Sequence, residues 1–420
     1  MNDVQRLIKY MEENNLPEAQ ELFEKVKKES SDHDLYWLAS RLSQYGFLEE
    51  AADLYERLIS AYPEEGELRV LLSELLMEMG REEEAYRHLE ALDASDPDYP
   101  RALLLQADLY QMQGLFEVSE QKLLLAKNIL PEEPVIDYAL GELYMSLGRF
   151  LEAIKCFERL LKAGEKEMAG QNVNARMAEA LSAGGAFEDS LPYYEKALED
   201  RLEINVLFGY GLTAFQAGQY TRAKKAFNEL KEIDPDYHTL YMYLAKCHEH
   251  EEQADKALEV AKEGLEHDEF NKELYEMAGI LALKTGKEEE AESFLRQALA
   301  LDPEYIEAAL KLDQLLIRQE RYADVLEIAL GFIDNGMDDP RFRWHAALGH
   351  HAAGQYSQAL NEYRLAYNEL NSNRDFLKDY GYFLIEEGQR EEAAGIFGKL
   401  ASLEPDNVEW MDTVERLLEE

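Results

Sequence analysis

The sequence predicts an all-α protein, a solenoid of short helical hairpins, and three observations predict it. The first is recurrence: "LGRFLEAIKCFERLL", Leu147 to Leu161, has close counterparts in "MGREEEAYRHLEALD" and "AGQYTRAKKAFNELK" in the same chain, and a sequence that repeats itself repeats a structural unit. The second is period. Gly46, Gly80, Gly114, Gly148, Gly185, Gly218, Gly286, Gly354 and Gly388 mark it, with Glu252 and Glu320 at the two remaining places. Successive spacings are 34, 34, 34, 37 and 33, then 34 throughout. The third is that apolar residues between markers fall at helical spacing, as in Leu140, Leu143, Tyr144 and Leu147, while no segment alternates with the period of two that a strand needs.

Each part of the unit has a physical reason. A helix that must turn back on itself ends best in a left-handed residue, which glycine adopts without strain, so the marker ends the first helix. Seven residues before it stand Ala39, Ser73, Ala107, Gly141, Ala178, Gly211, Ala245, Gly279, Asp313, Ala347 and Gly381. Five after it stand Ala51, Ala85, Ser119, Ala153, Ser190, Ala223, Ala257, Ala291, Val325, Ala359 and Ala393. Small side chains on both sides let two helices approach closely. Only one repeat breaks both rules, with Asp313 and Val325. Seventeen residues after the marker come Pro63, Pro97, Pro131, Pro235, Pro303 and Pro405, where proline stops the second helix and the next hairpin begins.

In period, in the small residue at place eight, glycine at fifteen, an aromatic near seventeen, alanine at twenty and proline at thirty-two, the chain resembles the tetratricopeptide repeat (TPR) family. In length and composition it also resembles the YpiA-like cytosolic repeat proteins of bacilli. The resemblance implies a right-handed superhelix of about twelve hairpins. An N-terminal array is expected over 1–163, with a first hairpin that includes "NNLPEAQELFEKV" from Asn14 to Val26, then repeats at 32–65, 66–99, 100–133 and 134–163. The wider spacing after Gly148 falls in "KAGEKEMAGQ", which predicts a looser joint over 164–170. A C-terminal array follows over 171–405, its repeat at 306–339 degenerate, and "DNVEWMDTVERLLEE" predicts a capping helix over 406–420 that covers the last apolar face.

Composition narrows the function. Eighty-seven acidic against forty-three basic residues give a formal net charge of −44, which repels phosphate backbones and anionic lipid, so neither nucleic acid nor direct membrane insertion is expected. The N-terminal stretch has no signal-peptide core and no run of eighteen apolar residues occurs, which predicts a cytoplasmic protein. Cys156 and Cys247 are the only cysteines. Neither a disulfide framework nor a zinc site is indicated.

In the resembled family, places two, five, nine, twelve and thirteen of each first helix line a concave groove. Carried onto this chain, these places give a partner-binding groove of Tyr36, Met77, Leu104, Tyr138, Met145, Phe208, Leu212, Phe215 and Met242, with Trp344 and Tyr382 as a second station. Exposed aromatic and methionine side chains suit an apolar helix or extended peptide, because they bury much area and adapt their shape. Helical spacing alone leaves open whether each packs between repeats instead. Other fifth places hold Val70, Ala175 and Leu310. Glu67, Glu74, Glu78, Asp108, Glu142 and Glu179 face only Arg101 in the second to sixth repeats, so the N-terminal half is expected either to draw in a segment that is basic as well as apolar or to carry its acids for solubility alone.

Sharper chemistry is not indicated. Family members that grip a C-terminal carboxylate of chaperone tails use a lysine, asparagine and arginine set spread over three consecutive repeats, and no three repeats here supply it. The histidine clusters "CHEHEE" and "HAALGHH" lack HExxH or paired CxxC, and His248 and His350 are expected to face the core. No phosphate loop, nucleophile elbow or dinucleotide fingerprint appears. No cofactor and no metal are expected; Asp313, which as a carboxylate could also be functional, is expected to reach a neighbour or water in an altered stack. The reading is a non-enzymatic scaffold or adaptor that binds a protein or peptide in its groove. The alternative is a signalling sensor whose superhelix changes pitch around a small peptide.

Overall fold

The structure, a computed structural model, describes residues 3–13, 15–337 and 339–419. The predicted limits at residues 1 and 420, and Asn14 in the opening hairpin, lie outside the described residues. Helical hairpins dominate: α1 (Asp3–Glu12) with α2 (Leu16–Glu29), α3 (Asp32–Gln44) with α4 (Leu48–Ala61), and α5 (Gly66–Glu78) with α6 (Glu82–Glu90). Next come α7 (Tyr99–Met112) with α8 (Phe116–Ile129) and α9 (Pro134–Ser146) with α10 (Phe150–Ala163). After β1 (Glu167–Met168) and β2 (Gln171–Asn172) follow α11 (Val173–Ala183) with α12 (Phe187–Asp200) and α13 (Ile204–Gln216) with α14 (Tyr220–Ile233). The chain continues with α15 (Thr239–His250) and α16 (Ala254–His267), α17 (Lys272–Lys284) and α18 (Glu288–Leu301), and α19 (Ile306–Arg318) and α20 (Tyr322–Asp334). It closes with α21 (Pro340–Ala352) and α22 (Tyr356–Leu370), α23 (Arg374–Glu386) and α24 (Arg390–Leu403), and α25 (Val408–Glu419). Odd-numbered helices up to α23 are first helices, even-numbered ones second helices. This is the predicted all-α solenoid.

Two compact units divide the chain, one ending at Thr213 and the other starting at Ala214. In the first unit one core runs from Leu7 through Leu38, Tyr55 and Leu72 to Leu109, and another from Leu103 through Phe157 to Leu181. In the second unit, clusters around Leu312, around Phe342 and around Phe376 with Phe397 take side chains from successive hairpins. Each hairpin thus completes the core of its neighbour.

The sequence rules have direct counterparts. All nine marker glycines have positive φ, and so do Glu252 (φ 59°) and Glu320 (φ 57°), which hold the same left-handed turn with a side chain. The residue after the marker donates its N–H five residues back in both kinds of turn, Arg149 to Tyr144 at 2.8 Å and Arg321 to Leu316 at 2.9 Å. The small residues are there for contact. A Cβ on Gly141 would sit 2.7 Å from the Phe157 ring, and one on Gly381 would sit 2.8 Å from Phe397. Both glycines therefore face a large side chain sixteen residues on, whereas the residue sixteen after Asp313 is Ala329, and that smaller partner leaves room for a carboxylate.

The stretch between Gly148 and Gly185 folds in a specific way. Gly164 ends α10 at φ 91°, and Glu167 and Met168 pair antiparallel with Asn172 and Gln171 around a turn at Ala169 and Gly170. Val173 N–H then bonds Lys166 C=O at 2.9 Å and delivers the chain into α11, whose first turn the Asn172 side chain caps.

Candidate functional site

All eleven predicted groove residues lie on first helices, and each is partly accessible, Tyr382 most of all at 40%. In contrast Val70, Ala175 and Leu310, fifth places of other repeats, are buried. The difference is packing: the same register faces the neighbouring hairpin in some repeats and open space in others.

In the first unit the apolar members sit among carboxylates. Tyr36 donates its hydroxyl to Glu67 at 3.0 Å and packs edge-on to Tyr55. Met77 packs against the first core, and Leu104, Tyr138 and Met145 pack against the second. Phe208 and Leu212, on α13, are half-buried. The expected acid excess is smaller than the sequence implied. Arg101 bonds Glu74 at 2.7 Å, and Arg176 grips Glu142 with two nitrogens at 2.8 and 2.7 Å while also pairing with Glu179. Arg176 lies at place six, outside the set of groove places, so the register argument passed over it. Glu78 and Asp108 keep no ion partner among the described residues. Asp108 is reached by solvent but closely walled, and that wall, with no cation to oppose it, pushes its carboxyl up to about 6.

In the second unit Phe215 heads an aromatic group with Tyr220, Tyr243 and His250, their rings 5.6 to 5.7 Å from its own. Met242 lies half-buried on α15. Trp344 lines an open cavity of about 530 Å³ whose walls come from α17, α19, α21 and α23, all first helices. Its indole N–H donates to Asp379 at 3.1 Å, which fixes the ring. Burial pushes the Asp379 carboxyl above its ordinary value. Tyr382 does not reach this cavity; it packs edge-on to Phe397 of the second helix in its own hairpin. Trp344 and Tyr382 are not brought together.

Behind the cavity lies the outcome for Asp313. Its carboxylate is fully buried and Oδ2 lies 2.8 Å from Nδ1 of His345, while Oδ1 has no hydrogen-bond partner. Burial pushes the Asp313 carboxyl up and the His345 bond pulls it partly back. Of the two expected outcomes, a neighbour or water, Asp313 meets a neighbour, a buried histidine that itself lines the cavity. His248 and His350 do not face the core as expected. Each is partly exposed and bonded through Nδ1 to a glutamine five residues on, Gln253 at 3.1 Å and Gln355 at 2.6 Å, because each lies in the last turn of its first helix, within reach of the N-cap residue of the second.

Comparison with known proteins agrees with this architecture. The TPR repeat-containing protein YpiA of Bacillus subtilis (strain 168) is 42% identical over 417 residues, which cover 99% of this chain and 98% of that protein. The chain belongs to the YpiA-like family of tetratricopeptide repeat proteins. YpiA-like repeats match residues 111–165 and YpiA-like C-terminal repeats match 340–407. General tetratricopeptide repeat models match 44–109, 175–238, 214–278 and 272–305. Among solved structures, the type IV pilus biogenesis factor PilW is 17% identical over 52% of this chain and 98% of its own, with a TM-score of 0.41. YrrB, described as a TPR protein with an unusual peptide-binding site, is 16% identical over 44% of this chain and 95% of its own, with a TM-score of 0.38.

Within this YpiA-like chain, Tyr138 and Met145 fall in the first matched stretch and Trp344, Asp379 and Tyr382 in the C-terminal one. Among the described residues no three histidine, cysteine or carboxylate side chains converge as metal ligands, and no helix is long and apolar enough to cross a membrane. Cys156 and Cys247 are both buried, and burial pushes the Cys247 thiol up to about 12, far from a reactive thiolate.

Proposed function

We propose that this protein is a non-enzymatic, cytoplasmic scaffold or adaptor that takes a partner segment on the exposed faces of its first helices. The observation that carries this reading is that eleven apolar and aromatic residues on first helices stay partly accessible while the other sides of the same helices pack into continuous cores. Such side chains lose water readily against an apolar partner, and their positions are fixed by the packed hairpins beneath them.

In the first unit the partner segment carries basic as well as apolar residues. Glu78 and Asp108, without ion partners, supply the attraction, and Glu67 adds to it. Glu74, Glu142 and Glu179 contribute less because Arg101 and Arg176 already neutralise them. Charge reversal at Glu78 and Asp108 is expected to lower both affinity and its salt dependence; unchanged values would remove the electrostatic part of the proposal.

The general reading is tested by crosslinked affinity capture with the full chain, comparing it with a Phe208→Asp, Phe215→Asp variant shown by circular dichroism to be folded. Partners lost from the variant alone would support binding at α13. Partners retained on both would move recognition to other faces.

A further inference from the structure

The cavity of the second unit combines three features that a generic apolar groove lacks. Leu283, Leu348 and the indole of Trp344 give apolar lining to a cavity whose walls come from four consecutive first helices. Its cations, Lys284, Lys311 and Arg318, come from α17 and α19, and its carboxylates, Asp375 and Asp379, from α23. Lys284 pairs with Glu249 and Arg318 lies 3.7 Å from Glu288. Lys311 has no ion partner among the described residues. In a chain where acids outnumber bases 87 to 43, a half-buried lysine left without a carboxylate beside an apolar cavity marks where a carboxylate from elsewhere would be bound.

The wall beside Lys311 is itself a departure from the repeat pattern. Asp313 stands at the place that is small in every other repeat, and it is held by Nδ1 of His345 through one oxygen while the other has no partner. A buried carboxylate with one orphaned oxygen destabilises the stack. Such a cost is commonly met at a binding site rather than in plain scaffold. On α23, Asp379 holds Trp344 in place, and Asp375 at the rim is free to accept a backbone or side-chain N–H.

We infer that this cavity recognises a protein segment in which an apolar side chain is flanked by aspartate or glutamate. The apolar side chain packs on Trp344 and Leu348, and the carboxylates bind Lys311 with support from Lys284 and Arg318. The segment's orientation follows from the cavity's polarity, acidic end over α19 and the opposite end over α23. The cations come from places thirteen and six, not from the lysine and asparagine set that grips chaperone tails. Small anions alone would leave the apolar lining uncovered, and a polyanionic nucleic acid would meet Asp375 and Asp379 as well as the chain's negative field. The inference rests on the protein-binding reading above and adds the chemistry of one partner site.

The test uses the full chain labelled with 5-fluorotryptophan. Its three tryptophans, Trp37, Trp344 and Trp410, give separate fluorine resonances, and a Trp344→Phe variant assigns the relevant one. A random heptapeptide display library is selected on the full chain and the enriched peptides are titrated. Peptides that move the Trp344 resonance are expected to carry Asp or Glu beside an apolar residue. Lys311→Glu, with unchanged circular dichroism, should weaken them about tenfold while Lys311→Arg should not. The inference is overturned if peptides moving Trp344 are basic or uncharged, if none moves it, or if Lys311→Glu leaves their affinity unchanged. It is also overturned if Trp344 shifts with protein concentration alone, which would make a second copy of the chain the occupant. Peptides that bind but respond only to Phe208→Asp, Phe215→Asp would sink this site and leave the protein-binding reading standing; no enrichment over a scrambled control would sink both.

Discussion

At the turns where Glu252 and Glu320 replace the marker glycine, a side chain occupies left-handed backbone at φ near 60°. That conformation costs a non-glycine residue about 1 kcal/mol, so Glu320→Gly is expected to stabilise the chain by up to about 1 kcal/mol, offset in part by the greater freedom of glycine when unfolded. Urea denaturation of the variant beside wild type checks the sign. The converse applies where glycine makes room: Gly381→Ala places a methyl 2.8 Å from the Phe397 ring and should cost about 1 to 3 kcal/mol through overpacking. Asp108 supplies a pH test. Its carboxyl is pushed from the usual 3.8 up to about 6, so the folded chain binds a proton more tightly than the unfolded one. The raised value favours the folded state below about 4, and that advantage disappears as pH rises through 6. Asp108→Asn should therefore be more stable than wild type at about pH 7.5, with the difference shrinking toward pH 5. Unfolding midpoints across that range that stay parallel would contradict the assignment.

Among the helices, the joint between α8, α9 and α10 depends on one carboxylate. Asp137, nearly buried in α9, accepts from Lys127 of α8 at 2.8 Å and from Arg159 of α10 at 2.9 Å. Removing it strands two cations, one of them largely enclosed, so Asp137→Ala should cost about 2 kcal/mol, more than a surface ion pair is worth. A chevron or urea titration of the full chain would show it. At the other end α25 closes the last hairpin: Trp410 stacks on Phe397 with ring centres 5.9 Å apart and donates its indole N–H to Glu404 at 2.7 Å. Trp410→Ala should cost about 3 kcal/mol locally. Because each hairpin leans mainly on its neighbours, the loss is expected first as raised hydrogen exchange in α23 to α25 while earlier helices stay protected.

Over the whole chain, a net charge of −44 works against any compact form through self-repulsion. Raising sodium chloride from about 20 mM to about 300 mM shortens the screening length several-fold and should raise the thermal midpoint. A fall would mean that attractive pairs such as Arg176 with Glu142 outweigh the repulsion. The same charge reads differently in the two units. The first leaves Glu78 and Asp108 open to cations, while the second brings Lys284, Lys311 and Arg318 to the lining of a single cavity.

The sequence by itself determined the hairpins, because their signals are local. A left-handed turn needs glycine or a tolerated substitute within one residue, close helix approach needs small side chains at fixed offsets, and an amphipathic helix shows its face in its own spacing. It also singled out Asp313 as irregular, and the family register carried Trp344, Phe208 and Tyr138 onto groove places while leaving open what covers them. Only the tertiary structure decided what those side chains meet. Register alone could not separate half-buried Tyr36 from buried Val70, since the next hairpin covers one and not the other. Nor could it pair Arg176 with Glu142 thirty-four residues away, or His345 with Asp313 thirty-two away. Such contacts depend on how one repeat stacks on the next, a matter of packing geometry between hairpins that no single stretch of sequence encodes.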